Sequence, residues 1–292
     1  MTIERKIAGI YHGAPIHWVG DGFRVSNYFP SGNNFGSRVS PFILMDYAPP
    51  YRYAPTHSQQ RGVGPHPHRG FETVTLAFEG SVAHHDSAGN TSVLGPGDVQ
   101  WMTAGSGVLH KEYHEREFAR AGGTFHMMQL WVNLPKAHKM DLPRYQALTT
   151  EQIGRAEIPD EGGQVRVIAG EYKDVKGPAK TFTPINLFDI RLNAGGQVPL
   201  SFPAHENTLL LIMQGVVEVS GQTAKELDLV LFDNEGEEIT VRAKQAAHLL
   251  LLNGEPIDEP VVQYGPFVMN TEQEIRQAML DFSNGKFGYL AD

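Results

Sequence analysis

The sequence predicts an all-β protein built from two copies of one barrel, with a short helix at the C-terminus. Three observations carry this. Short runs rich in Val, Ile, Leu, Phe and Thr recur along the chain. They lie at Glu72–Phe78, Val99–Met102, Thr124–Val132, Val165–Ala169, Asn186–Leu192, Thr208–Met213, Val216–Ser220, Leu227–Phe232, Glu238–Val241 and Ala247–Leu252. Turn signals separate them, among them Glu79-Gly80, Gly95-Pro96-Gly97-Asp98, Ala194-Gly195-Gly196, Gln214-Gly215 and Asn234-Glu235-Gly236. Regular short strands with explicit turns between them are the signature of a barrel or sandwich. Finally, the halves share a rhythm. Phe71–Phe78 leads to Glu79-Gly80 and then to Val99–Met102 after a Pro-Gly-Asp turn. Thr208–Met213 leads to Gln214-Gly215 and then to Leu229–Phe232 after Glu226-Leu227-Asp228. This is a weak internal repeat.

The length, 292 residues, suits two domains rather than one core. The β-rich pattern breaks at Asn133–Pro143, so the expected division is residues 1–140 and 141–292. Thr271-Glu272-Gln273-Glu274 has the form of a capping box, in which Thr271 caps and Glu274 reaches back. It opens a helix over about 271–284, with Ile275, Ala278, Met279 and Phe282 on one face and Gly285 just past its end. A shorter helix is expected at about Thr149–Ile153.

Composition narrows the function classes. Net charge is −9, so the chain offers no broad attraction to phosphate backbones and direct nucleic-acid binding is not expected. No cysteine is present, which removes disulfides, thiolate metal sites and a Cys nucleophile. The opening MTIERKIAGIYHG lacks the apolar run of a signal peptide. The longest apolar run, Leu209–Met213, falls far short of the ~18 residues of a membrane span. A cytoplasmic location is the expectation.

Histidine is unevenly placed. Thirteen occur, eight of them from His57 to His126, and only His205 and His248 lie in the second half. Two pairings stand out, His66-Pro67-His68 and His110-Lys111-Glu112. On a strand, residues i and i+2 share a face. Each pair can therefore aim both side chains inward, with Pro67 and Lys111 pointing elsewhere. Two such strands bring three imidazoles and one carboxylate together, a donor set suited to a divalent first-row metal. Four protein ligands leave positions open on an ion that prefers six, the mark of a catalytic rather than a closed structural site.

The stretch His66-Pro-His-Arg-Gly-Phe-Glu-Thr-Val, with Gly95-Pro-Gly-Asp-Val-Gln-Trp-Met-Thr-Ala-Gly-Ser-Gly-Val-Leu-His110 after it, resembles the pirin family of the cupin superfamily. So do Phe23-Arg24-Val25, Ser40-Pro-Phe-Ile-Leu-Met-Asp46, His126-Met-Met-Gln-Leu-Trp-Val-Asn-Leu-Pro135 and the tail Glu259–Thr271. The resemblance covers nearly the whole chain. It implies two cupin (jelly-roll) barrels packed face to face, with metal only in the N-terminal one. It implies ligands at His66, His68, His110 and Glu112, most often with iron as Fe(II), although Zn, Mn, Ni, Co or Cu suit the same donors. The second barrel fits that asymmetry, since His205 has no His-x-His around it. Lys111 stands where the family more often has a small residue.

Bacterial members are linked to oxidative opening of flavonols such as quercetin by O2, with Glu112 as ligand and as general base for the substrate hydroxyl. Eukaryotic members resemble transcriptional co-regulators that bind a partner protein and respond to the metal's oxidation state; the same ligands serve that alternative. A third reading is Lewis-acid isomerisation or hydrolysis of a small substrate. A monomer is expected. Beside these residues, Glu72 reads as a structural hydrogen-bonding group on its strand. His84, His85 and Asp86 read as a surface cluster, with at most one of the histidines facing inward. His126, Met127, Met128 and Gln129 lie on a strand lining the barrel, where Gln129 reaches toward a substrate. Tyr28–Pro30 and Phe42–Met45 serve equally as a pocket roof or as core, and Trp101, between Gln100 and Met102, as buried packing.

Overall fold

The computed structural model describes residues 3–57 and 60–291. The chain divides into two compact units, each holding one barrel. The first comprises Pro15–Pro30, Phe42–Thr150 and the chain from Ile257 onward; the second comprises the chain up to Ala14, Ser31–Pro41 and Glu151–Pro256. The division expected at residue 140 is therefore corrected. Strand Arg144–Leu148 still pairs with Val99–Thr103, and the C-terminal helix belongs with the first barrel. The N-terminal strand Ile7–Tyr11 instead pairs with Leu229–Phe232 of the second.

The repeat is explicit in the sheets. The first barrel has a seven-stranded sheet ordered Arg144–Leu148, Val99–Thr103, Phe71–Glu79, Gly123–Asn133, Phe42–Tyr53, Phe23–Phe29 and His17–Val19. Facing it is a four-stranded sheet ordered Gly62–His68, Val108–His114, Val82–Asp86 and Thr91–Leu94. The second barrel repeats the plan. Its seven-stranded sheet is centred on Ala247–Gly254, and its four strands run Gln197–Ser201, Glu238–Ala243, Val216–Val219 and Gln222–Lys225.

The strands form where short apolar runs alternate between two faces. In Val108–His114 the even-numbered positions are buried and the odd ones half-exposed, the period of two that a pleated strand imposes. Phe71–Glu79 is buried along almost its whole length, as a central strand covered on both faces must be. The turn Gly95-Pro96-Gly97-Asp98 closes with the Asp98 amide donating to the Gly95 carbonyl at 3.0 Å. Gly97 holds φ +91°, which the third position of this turn type requires. The interior of the second barrel is hydrocarbon. Val198, Leu200, Ile239 and Val241, on the strands that match Gly62–His68 and Val108–His114, join Val165, Phe188, Ile190, Leu210, Leu249 and Leu251 in one core. None of these four offers a donor atom to a metal.

Glu272–Ser283 is helical and carries the expected capping box between Thr271 and Glu274. Its buried face is Ile275, Ala278 and Asp281, while Met279 and Phe282 are 42% and 41% exposed, contrary to the expected face. Asp281 replaces them because it accepts from Arg69 Nη1 at 2.9 Å, Gln277 Nε2 at 2.9 Å and Lys286 Nζ at 2.7 Å. Thr149–Ile153 is a turn rather than a helix; so short a segment does not repay helix nucleation. A six-residue helix not foreseen, Arg116–Ala121, is capped by the Glu115 carboxylate.

Two tests follow from these anchors. Bonds from Lys286, Arg69 and Gln277 hold the Asp281 carboxyl well below its ordinary range. A carboxylate depressed on folding stabilises above its unfolded pKa of about 4 and loses that contribution as pH falls through the folded value. Asp281→Asn should therefore cost about 1.5–3 kcal/mol near pH 7 and progressively less below about pH 4, as read by urea denaturation at a series of pH values. In the second barrel, Arg5 is fully buried and donates to the carbonyls of Gly236, Glu206, Phe202 and Pro203 and to Thr208 Oγ1. Arg5→Met strips those acceptors of their donor and should cost at least about 3 kcal/mol in the same measurement.

Candidate metal centre

Two adjacent strands of the four-stranded sheet supply the expected residues. Val108–His114 pairs antiparallel with Gly62–His68, setting His110 opposite His66 and Val108 opposite His68. The register then shifts, so that Glu112 stands opposite Val63. Directly paired residues share a face, and His66, His68, His110 and Glu112 are thereby placed inside the barrel. One ligating nitrogen each from His66, His68 and His110 lies within 4.8 Å of the others. The ring centroids are 4.3 Å apart for His66–His110, 4.8 Å for His68–His110 and 4.9 Å for His66–His68.

Two of the imidazoles are in the state a metal needs. Burial, with the neighbouring His66 ring, holds His68 well below its ordinary pKa. Burial and the rings of His66, His68 and His84 do the same to His110. Both are neutral at pH 7. His66 Nδ1 lies 2.8 Å from the Gly64 carbonyl. A carbonyl only accepts, so Nδ1 carries a proton and Nε2 is the nitrogen left to face the ion. His68 Nδ1 and both nitrogens of His110 are buried without a protein partner. Orphaned buried nitrogens cost about 1–3 kcal/mol each unless something binds them, and a metal ion is a group that would.

Glu112 is held by the opposite sheet. Thr75 Oγ1 and Gln100 Nε2 donate to its Oε1 at 3.3 and 3.1 Å, and Gln129 Nε2 donates to Oε2 at 3.0 Å. A carboxylate has about four lone-pair sites. Three bonds leave one site free, on Oε2. These donors belong to a row of paired residues across the seven-stranded sheet, in the order Asn27, Asp46, Gln129, Thr75, Gln100. Beside it runs a second row, Leu44, Trp131, Thr73, Met102, Tyr145. On the other side lies an apolar layer including Val25, Ala48, Ala77, Phe125 and Met127. His66, Leu44, Asp46, Gln129 and Trp131 are half-buried, which puts the more open part of the barrel beside Glu112 and the imidazoles. Trp131 also packs against His68, with centroids 5.2 Å apart, and against Phe71 at 4.3 Å.

The structure adds one residue and corrects its assignment. His84 is not on the surface but wholly buried, and its ligating nitrogen forms a second close set with a nitrogen of His110 and a carboxylate oxygen of Glu112. It stands opposite Glu112 in the adjacent strand, and its Nε2 lies 3.2 Å from Asp86 Oδ2. His85, of opposite parity, faces out. Glu72 points to the far face from Thr73 and Thr75 and accepts from Thr103 at 2.6 Å, the structural bond expected of it. His126 bonds the Tyr47 hydroxyl at 2.9 Å, Met127 is core, and Gln129 turns to Glu112 rather than to open space. Trp101, Tyr28, Phe42 and Met45 are core.

Known proteins share this chain's sequence and fold. The Pirin family model matches residues 22–132, and the model of the pirin C-terminal cupin domain matches residues 187–288. A Pseudomonas aeruginosa protein provisionally named a quercetin 2,3-dioxygenase is 48% identical over 97% of this chain and 98% of its own length. Human pirin is 39% identical over 86% of this chain and 84% of its own. A crystal structure described as quercetin 2,3-dioxygenase from Acinetobacter baumannii superposes with a TM-score of 0.94 and 46% identity, covering 99% of this chain and all of that one. With both barrels matched and the motifs of the first intact, the chain belongs to the pirin family of the cupin superfamily.

Proposed function

We propose that the protein is a dioxygenase that opens flavonols such as quercetin with O2, using one divalent metal ion held by His66, His68, His110 and Glu112. The observation that carries this is the close set of His66, His68 and His110, which shares His110 with a second close set holding Glu112, with His68 Nδ1 and both nitrogens of His110 buried without a protein partner, beside the half-buried residues of the barrel. Imidazole and carboxylate suit first-row metals; Fe(II) is the ion we favour, with Mn, Co, Ni, Cu and Zn matching the same donors. When bound, the ion supplies Lewis acidity and a redox centre, which promote electron donation from a deprotonated flavonol to O2.

The chain's own groups do the rest. Glu112 accepts the proton of the flavonol 3-hydroxyl through its less encumbered Oε2. Gln100, Gln129 and Thr75 keep the carboxylate in place while it does so, because their donors act on the ionised form. Leu44 and Trp131 give a flat aromatic substrate an apolar surface beside the ligands. The similarity to proteins named for this activity supports the reading.

Purified protein loaded with Fe(II) and mixed with quercetin in air should lose flavonol absorbance and consume oxygen together. His110→Ala should lose both the bound metal and the turnover. Glu112→Gln, which keeps the shape but cannot take a proton, should lower turnover by about 100-fold or more. Stoichiometric metal without turnover, for iron and for Mn, Co, Ni and Cu alike, would refute the dioxygenase assignment.

A further inference from the structure

Behind Gln100 stands a residue with no assigned role, Tyr145. It lies on the outermost strand of the seven-stranded sheet, paired with Met102, and its side chain is turned inward. Its hydroxyl lies 3.0 Å from Gln100 Oε1 and in close contact with Ser92 Oγ. Its ring stacks on His84, with centroids 4.8 Å apart and planes at 26°. His84 in turn packs against His110, at 5.4 Å. One side chain thus touches the neighbours of two candidate ligands.

The direction of every bond in this chain is fixed by chemistry. Gln100 presents its amide nitrogen to Glu112 Oε1 at 3.1 Å, and an amide nitrogen can only donate. The amide oxygen of Gln100 then faces Tyr145, whose hydroxyl must donate. Having given its proton to Gln100, that hydroxyl accepts from Ser92. Donation runs one way, from Ser92 through Tyr145 and Gln100 to Glu112, and bonds aligned in this way polarise one another. Burial, with the charges of Glu112 and Asp86 nearby, pushes the Tyr145 phenol up from its ordinary range, so it remains a donor. Without it, the buried Gln100 amide, with no exposed surface, could rotate and set its oxygen against the carboxylate.

We propose that Tyr145 is a positioning residue for the metal centre: its hydroxyl locks the orientation of the Gln100 amide, and that amide holds Glu112 where it meets the ion and the substrate proton. This rests on the assignment of Glu112 as a ligand and base. Outer groups that orient a ligand typically contribute ten- to a hundredfold to metal affinity or activity.

The test uses Co(II) binding and its visible absorption spectrum, read without any flavonol. Tyr145→Phe keeps the ring on His84 and removes only the hydroxyl. It should weaken Co(II) binding by about ten- to a hundredfold and shift the Co(II) bands, with the melting temperature of the metal-free protein nearly unchanged. Gln100→Met should act alike, and the double variant should be no weaker than Gln100→Met alone, because both changes break one chain of bonds. Unchanged affinity and spectrum in Tyr145→Phe, or additive effects in the double variant, would overturn the proposal. If the unmodified protein binds Co(II) but turns over no quercetin with any metal, the dioxygenase reading fails while the positioning role still stands or falls on these spectra.

Discussion

The register that sets His110 opposite His66 is the constraint on which the site depends. A slip of one residue would turn every inward side chain of Val108–His114 outward. His110 and Glu112 would then face solvent, and Lys111 would enter the barrel. The register is secured from both sides, since Val82–Asp86 pairs with the same strand and sets His84 opposite Glu112. The Arg69-Gly70 turn follows His68 directly. Gly70, at φ +87°, approaches so closely that a Cβ would come 2.0 Å from the Val268 carbonyl oxygen, and Arg69 is tied to Asp281 and to the Ser106 carbonyl. The C-terminal helix thus secures the end of a ligand strand, which explains why it belongs with the first barrel.

A barrel interior is a costly place for polar groups, and this one holds many. They are tolerated because the sheets complement each other. Imidazoles and a carboxylate project from the four-stranded sheet, while the two amides and the Thr75 hydroxyl that bond that carboxylate project from one row of the seven-stranded sheet. The second barrel, built on the same plan, shows the alternative: Val198, Leu200, Ile239 and Val241 occupy the matching inward positions. One architecture thus supports a polar site in one copy and a hydrocarbon core in the other, and what differs is the residues at alternate positions of two strands.

Much of this was legible in the sequence because strands have a period of two. His-x-His and His-x-Glu announce a shared face wherever they fall on strands, and the central strands of both barrels declare themselves as apolar runs. What the sequence hides is which distant strands pair. Ile7–Tyr11 carries no signal that it will join Leu229–Phe232, so the segment exchange between the halves was not readable. The parity of His84 and His85 was equally open, because two adjacent histidines look alike until the register with Glu112 is known. The row from Asn27 to Gln100 draws on five strands spread over much of the first barrel's sequence. Tyr145 sits beyond the last apolar run of that barrel, on the far side of the division expected at residue 140.

The most direct test of the metal centre is anomalous scattering from a crystal of protein loaded with Co(II) or, without oxygen, Fe(II), collected at the metal's absorption edge. The account predicts a single peak bounded by His66, His68, His110 and Glu112. A peak held by His84, His110 and Glu112 without His66 and His68, or no peak in this barrel from stoichiometrically loaded protein, would contradict it.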